Sequence, residues 1–184
     1  MPFAVELFFD SQTDMRVRRL WQALADAGIN SHMIDVGAQP HISLAVVTEL
    51  DPEDLRADME AFARATPCLP FRLNTVGTFP TAEGVVYLAP QVTPQLLDVH
   101  RRYHERLARL GVESTHYYRP GRWTPHCTVG VLVPGEKIPA AIAMCQGSDV
   151  FGEGELVALG LVEFGTPTGR TKHLYRFPLR ADTR

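Results

Sequence analysis

Two short segments constrain this chain more than any other feature: Pro40-His41-Ile42-Ser43-Leu44 and Pro125-His126-Cys127-Thr128-Val129 stand at matching places in its two halves. Counting from His41, Phe79 lies 38 residues on and Gly84 lies 43 on; counting from His126, Phe164 and Gly169 stand at the same two offsets without a gap. Gly28 closes a helical pattern 13 residues before His41, and Gly111 closes one 15 residues before His126. The recurring order is helix, histidine strand, helix, strand, turn, strand. Two similar units packed face to face tend to set equivalent residues around a pseudo-twofold axis, so the two histidines are expected to be neighbours in space.

Local signals fill in the elements. AVELFF, residues 4–9, reads as a strand, and residues from Thr13 to Ala27 set Val17, Leu20, Trp21 and Leu24 on one helical stripe that Gly28 stops. After the strand PHISLAVV, Asp51 is placed to cap a helix with Pro52 at its first position and Leu55, Met59 and Phe62 on its apolar face. Residues 71–79 and 85–89 read as strands joined by a turn from Pro80 to Gly84. Thr93-Pro94 opens a helix with Leu96, Tyr103, Leu107 and Leu110 on one side and Gly111 at its end. PHCTVGVLV is a strand, residues near 137–145 a shorter helix, and residues 155–164 and 171–177 a final pair around Thr166-Pro167-Thr168-Gly169. This alternation gives an α/β (α+β) chain. With 184 residues, 45% of them hydrophobic, it can bury one core or two small lobes sharing an interface. The expectation is one unit over 1–184, with approximate lobes 1–92 and 93–184 that can exchange terminal strands.

Charge and cysteine usage limit the partners. Eighteen Lys plus Arg against 21 Asp plus Glu leave a formal charge of -3, so no bulk attraction for a nucleic-acid backbone is expected and any such substrate should be small or locally held. Cys68, Cys127 and Cys145 form an odd set with no CxxC spacing, which argues for buried reduced thiols over a disulfide framework or a zinc site. The apolar run near the N-terminus is broken by Glu6 and stopped at Asp10, so neither a signal peptide nor a membrane span is expected, and a cytoplasmic location is. A monomer is expected as well, since duplication already supplies both halves of a cleft.

The chemistry lies in the two histidine strands. A period of two puts His41 and Ser43 on one face and Ile42, Leu44 and Val46 on the other; His126 and Thr128 likewise oppose Cys127, Val129 and Val131. Each strand therefore offers an imidazole and a hydroxyl to one surface, and both need partners that a cleft can provide. An imidazole with a pKa near ~6.5 takes or gives a proton near neutrality, so two of them can act as base and acid on opposite sides of a phosphorus. Hydroxyls of Ser43 and Thr128 can donate to the non-bridging oxygens. No metal is needed for this.

PHISL and PHCTV resemble the paired H-x-S/T-hydrophobic signatures of the 2H phosphoesterase superfamily, particularly its branch similar to bacterial 2'-5' RNA ligases and cyclic nucleotide phosphodiesterases. The resemblance runs from the first strand to YRFPL and includes both motifs and their separation. It implies an internally duplicated bilobal fold with antiparallel sheets around a central cleft. It also implies hydrolysis of 2',3'-cyclic phosphates, or of related 2'-5' or cyclic nucleotide phosphodiesters, without a cofactor. The catalytic histidines of the family fall on His41 and His126, and its phosphate-contacting hydroxyls on Ser43 and Thr128. Similarity to its cyclic phosphodiesterases makes His126 the base and His41 the acid, although the sequence itself is nearly symmetric here. Gly77-Thr78-Phe79-Pro80 resembles the hairpin stretch of the RNA-ligase-like branch, but Gly84-Val85-Val86 stands where that branch usually carries an arginine. Ligation at an RNA 2'-5' linkage and non-catalytic nucleotide binding are the alternative functions.

Further candidates surround these four residues. Tyr117, Tyr118, Arg119, Arg122 and Trp123 precede His126 and could stack a base and draw in a phosphate, or merely cover a sheet edge. Tyr87 and Lys172 occupy matching offsets on the hairpin strands and are candidate substrate contacts, which would turn His173 the other way. His100 and His104, four apart, read as an exposed helical pair with no third metal ligand.

Overall fold

The computed structural model describes residues 2–181. β1 (Phe3–Phe9) is buried along its whole length. Its Phe3, Val5, Leu7 and Phe9 enter the main core, while the alternate residues Ala4, Glu6 and Phe8 turn to the other side of the sheet. Asp10 caps α1 (Ser11–Asp26) by accepting from the Thr13 amide at 2.9 Å, and the expected stripe of Val17, Leu20, Trp21 and Leu24 is buried. A one-turn helix, α2 (His32–Asp35), follows; it is too short to show a period in sequence.

β2 (His41–Val47) leads to α3 (Pro52–Ala65), where the Asp51 carboxylate accepts from the Glu53 amide at 3.1 Å and Leu55, Met59 and Phe62 fill the core. β3 (Leu69–Thr78) and β4 (Val86–Pro90) form a hairpin, and α4 (Pro94–Arg109) starts at a Thr93 cap. Leu96, Tyr103 and Leu107 are buried as the helical stripe requires, whereas Leu110, beyond the helix end, is exposed. β5 (Cys127–Gly130) is shorter than expected because Leu132 takes a positive φ of 58° and sends its amide to Glu83 O at 2.8 Å. α5 (Ile138–Gln146), β6 (Gly152–Glu163) and β7 (Lys172–Pro178) complete the chain.

All strand pairs are antiparallel, in the order β2-β1-β6-β3-β4-β5 with β7 also on β6. The fold is therefore α+β, with one large antiparallel sheet. β6 makes this continuous: Gly152–Leu156 pair with β3, while Leu156–Glu163 pair with β1 and Ala158–Glu163 with β7. Helices cover one side, α1 on β1, α4 on β2, α3 on β6 and β7, and α5 on β3 and β4. Although β2 and β5 end the path at opposite edges, they are in contact, so the sheet curves until its two histidine strands meet. No described helix is long and apolar enough to cross a membrane.

The two matched glycines serve unequal needs. Gly84 has φ +56°, and a Cβ there would fall 2.2 Å from Val133 O; Gly169 has φ +71° in open space. Gly169→Ala should cost only the left-handed penalty of about 1 kcal/mol. Gly84→Ala adds a backbone clash and should cost at least ~2 kcal/mol. Urea midpoints of the two variants check this ordering, and equal losses would contradict it.

Candidate active site

His41 opens β2 and His126 directly precedes β5, and the backbone holds both rings in the same way. His41 Nδ1 lies 2.6 Å from Gln39 O, and His126 Nδ1 lies 2.7 Å from Thr124 O. A carbonyl can only accept, so each Nδ1 carries the proton and each Nε2 is left as the nitrogen that can exchange one. Each latch closes onto the carbonyl two residues upstream, which the prolines at 40 and 125 help to turn back.

The two strands meet where His41 and Cys127 lie together: the His41 backbone amide is directed at the Cys127 thiol. Burial pushes that thiol up to about 12, so it is inert packing. Burial also lowers the pKa of both imidazoles, and the charge of His41 lowers His126 further. The histidines are thus electrostatically coupled.

Cross-ties hold the hydroxyl-bearing residues. Trp123 Nε1 donates to Ser43 O at 2.9 Å, and Trp21 Nε1 donates to Thr128 O at 3.2 Å. His104 Nε2 donates to Leu44 O at 3.0 Å, and Ser114 Oγ both donates to Val46 O and accepts from the Val46 amide at 3.1 Å. The outer edge of β2, which has no neighbouring strand, is in this way satisfied by side chains.

The surroundings of the two histidines differ. Beside His126, Phe79 stands edge-on at 5.1 Å and Tyr87 at 5.4 Å, with Phe79 and Tyr87 stacked at 4.5 Å. Gly77 makes room, since a Cβ there would lie 2.7 Å from the Tyr87 ring. Beside His41 stands Glu6, whose Oε1 is 3.3 Å from His41 Nε2. A cavity of about 420 Å³ lined by Arg18, Trp21, Gly37, Gln39 and His173 adjoins the His41 turn.

A family model described as the 2'-5' RNA ligase superfamily matches residues 9–166. The chain belongs to the 2'-5' RNA ligase superfamily, the 2H phosphoesterases. Solved structures agree on the fold. A phosphoesterase is 20% identical with a TM-score of 0.63, covering 97% of each chain, and a Thermus thermophilus protein is 20% identical with a TM-score of 0.66 over the whole of both. Escherichia coli LigT complexed with 3'-AMP is 18% identical with a TM-score of 0.60, covering 97% of this chain and 99% of LigT. No curated protein matches in sequence.

In this member of the superfamily the remaining candidates are dispersed. Tyr118 is half-buried and its phenol feels the charges of Glu6 and Glu83, which raise its pKa after burial does. Tyr117 and Arg122 are exposed, and Arg119 is engaged by Ser114 O and Glu113 in its own loop. Trp123 offers no free face toward a base on one side, because His100 stacks on it at 4.0 Å and 3°. Lys172 is exposed and pairs in register with Glu163. The bulge between Leu161 and Val162 sets His173 opposite Val162, so His173, not Lys172, faces Phe8, at 6.3 Å between rings.

His100 and His104 are not an exposed pair: His100 is buried, its Nε2 donates to Tyr118 O at 2.8 Å, and with His104 Nε2 also taken they serve as braces. Reading the sequence missed this, and also missed Glu6 and the ring of Phe79. An acidic residue inside an otherwise apolar strand was the available signal for Glu6.

Burial, then the nearby His104 charge, pushes His100 down to about 4, against ~6.5 for a free imidazole. Between those values the unfolded chain binds a proton that the folded chain refuses, so stability falls as pH drops from about 6.5 toward 4. The urea midpoint should therefore decline on going from pH 7.5 to 5. His100→Gln should reduce that decline, and an unchanged decline would refute the assignment.

Proposed function

We propose that this chain is a phosphodiesterase acting on 2',3'-cyclic phosphates or related 2'-5' and cyclic nucleotide phosphodiesters, through His41 and His126 as general acid and base. On this reading they face one another across a cleft between the lobes of a duplicated, single-unit fold. The observation that carries the proposal is the matched pair of latches: each imidazole has Nδ1 fixed on a carbonyl and Nε2 left to exchange a proton, two residues before a hydroxyl, on strands that come together.

In-line opening of a cyclic phosphate needs both groups at once. One Nε2 takes a proton from water as its oxygen bonds to phosphorus; the other gives a proton to the ribose oxygen as its bond to phosphorus breaks. Ser43 and Thr128 hydroxyls donate to the non-bridging oxygens, and the product is a phosphate monoester. A nucleoside 3'-monophosphate is what such opening leaves when the 2' oxygen departs, and LigT has been seen with 3'-AMP. Tyr87 and Tyr118 supply nearby aromatic surface for the base, while Arg122 at the rim is assigned at most to attraction.

Hydrolysis of 2',3'-cyclic AMP should continue in EDTA, since proton transfer and phosphoryl contact are both assigned to side chains. His41→Ala and His126→Ala should each lower kcat by about 10²–10⁴-fold. Loss of turnover on chelation with recovery on adding a divalent ion, or near-normal turnover by either variant, would overturn the proposal.

A further inference from the structure

The backbone treats the two histidine strands alike, yet one register position differs in chemistry. On one side Ser43 pairs across to Glu6, which pairs onward to Gly160; on the other Thr128 pairs to Tyr87, which pairs onward to Gly77. The equivalent position next to the histidine strand thus carries a carboxyl on one side and a phenol on the other. Glu6 is only 4% exposed, its Oε1 is 3.3 Å from His41 Nε2, and its Oε2 has no hydrogen-bond partner. Among the described residues His41 is the one cationic group within ion-pair distance of it.

A buried carboxyl with one lone oxygen is costly to keep and adds nothing to packing that an apolar residue would not. Resting on the two-histidine reading above, we infer that Glu6 is a positioning residue that keeps one proton shared with His41 Nε2, so that His41 is the acid and His126 the base. Burial raises Glu6 well above the usual carboxylate range and lowers His41. With Oε1 and Nε2 only 3.3 Å apart and both side chains largely withdrawn from water, the pair is held with a single proton between them and no net charge.

Other titratable groups around the pair do not replace Glu6. Tyr118 and Cys127 feel its charge, and burial raises both above their ordinary values, so they stay neutral. His126 from the β5 side and His173 from β7 both couple to His41, and both are lowered. Arg176 is engaged with Gln39 Oε1 at 3.0 Å and lies over the Phe8 ring. The charges of His126 and His173 disfavour a proton on His41, the Gln39 carbonyl favours it through Nδ1, and Glu6 is the carboxyl within reach of Nε2.

The step balances. The Glu6 proton passes from Oε1 to Nε2, and Nε2 passes it to the leaving ribose oxygen as the P–O bond breaks. His126 Nε2 meanwhile gains the proton of the attacking water, and solvent restores the starting state. The separation of 3.3 Å is longer than a tight charge-assisted hydrogen bond, so the Nε2 proton, whose direction the Nδ1 latch fixes, is held loosely by Oε1 and can be shared with an entering oxygen.

The test combines a titration and a rate profile. In wild-type protein, Glu6 carbon-13 and His41 nitrogen-15 shifts, followed by NMR against pH, should show the carboxyl titrating above its usual range and in step with His41. In Glu6→Gln the proton should leave His41 at a pH lower by about one unit or more. The alkaline limb of kcat/KM for 2',3'-cyclic AMP should move acidward by the same amount, while turnover of a nitrophenyl phosphodiester, whose leaving group needs no proton, stays near wild type. A carboxyl titrating near 4 without response from His41, or an unmoved alkaline limb in a folded Glu6→Gln protein, would overturn the inference. If the protein hydrolyses neither substrate, the proposed function fails, and the wild-type titration still decides whether Glu6 and His41 share a proton.

Discussion

The structure depends on β6 being long enough to pair in two directions at once. Its first five residues hydrogen-bond β3 and its remainder hydrogen-bonds β1 and β7, so strands drawn from both ends of the chain become one sheet. With that strand in place, β2 and β5 are the two ends of the path, and sheet curvature brings them into contact. Gly160 allows the close packing this needs, since a Cβ there would lie 2.5 Å from the Phe8 ring and 2.7 Å from Tyr175 O. Proximity of His41 and His126 is thus a result of topology, with no local sequence signal to specify it.

Contact between two strand ends creates a problem of unpaired backbone groups, and the solution also prepares the site. β2 has a hydrogen-bonded neighbour only on the β1 side, and its free edge is met by Trp123, His104, Ser114 and the Thr115 amide. Trp21 performs the corresponding task for Thr128 O. These bonds fix the strand positions from which the imidazoles and hydroxyls project, while the Nδ1 latches fix the rings. Preorganisation of this kind lets a proton-transfer pair act without first paying for its own ordering.

Much of this was legible in residues alone. The H-x-S/T pairs gave the strands and their alternation, except that beyond Leu44 the irregularity in β2 buries Ala45 and Val47 in place of Val46; helix caps at Asp51 and Thr93 and the stop at Gly28 lay where the expected chemistry put them. What could not be read depended on register. The bulge at Leu161/Val162 decides that His173 and not Lys172 faces Phe8, and the bulge at Val5/Glu6 decides that Glu6 lies opposite Ser43. Sequence spacing carries no information about either shift. His100 and His104 were misread as exposed because a helical period shows which residues share a side but not that a distant loop, closed by Trp123 and Tyr118, will cover it.

The central claim is that two coupled imidazoles carry the chemistry, one neutral and one protonated. The most direct measurement is the pH dependence of kcat/KM for 2',3'-cyclic AMP with the wild-type protein. A bell-shaped profile is predicted, with two limbs belonging to the coupled pair. A rate that rises continuously with pH, with no alkaline limb, would mean that no protonated acid takes part and would contradict the account.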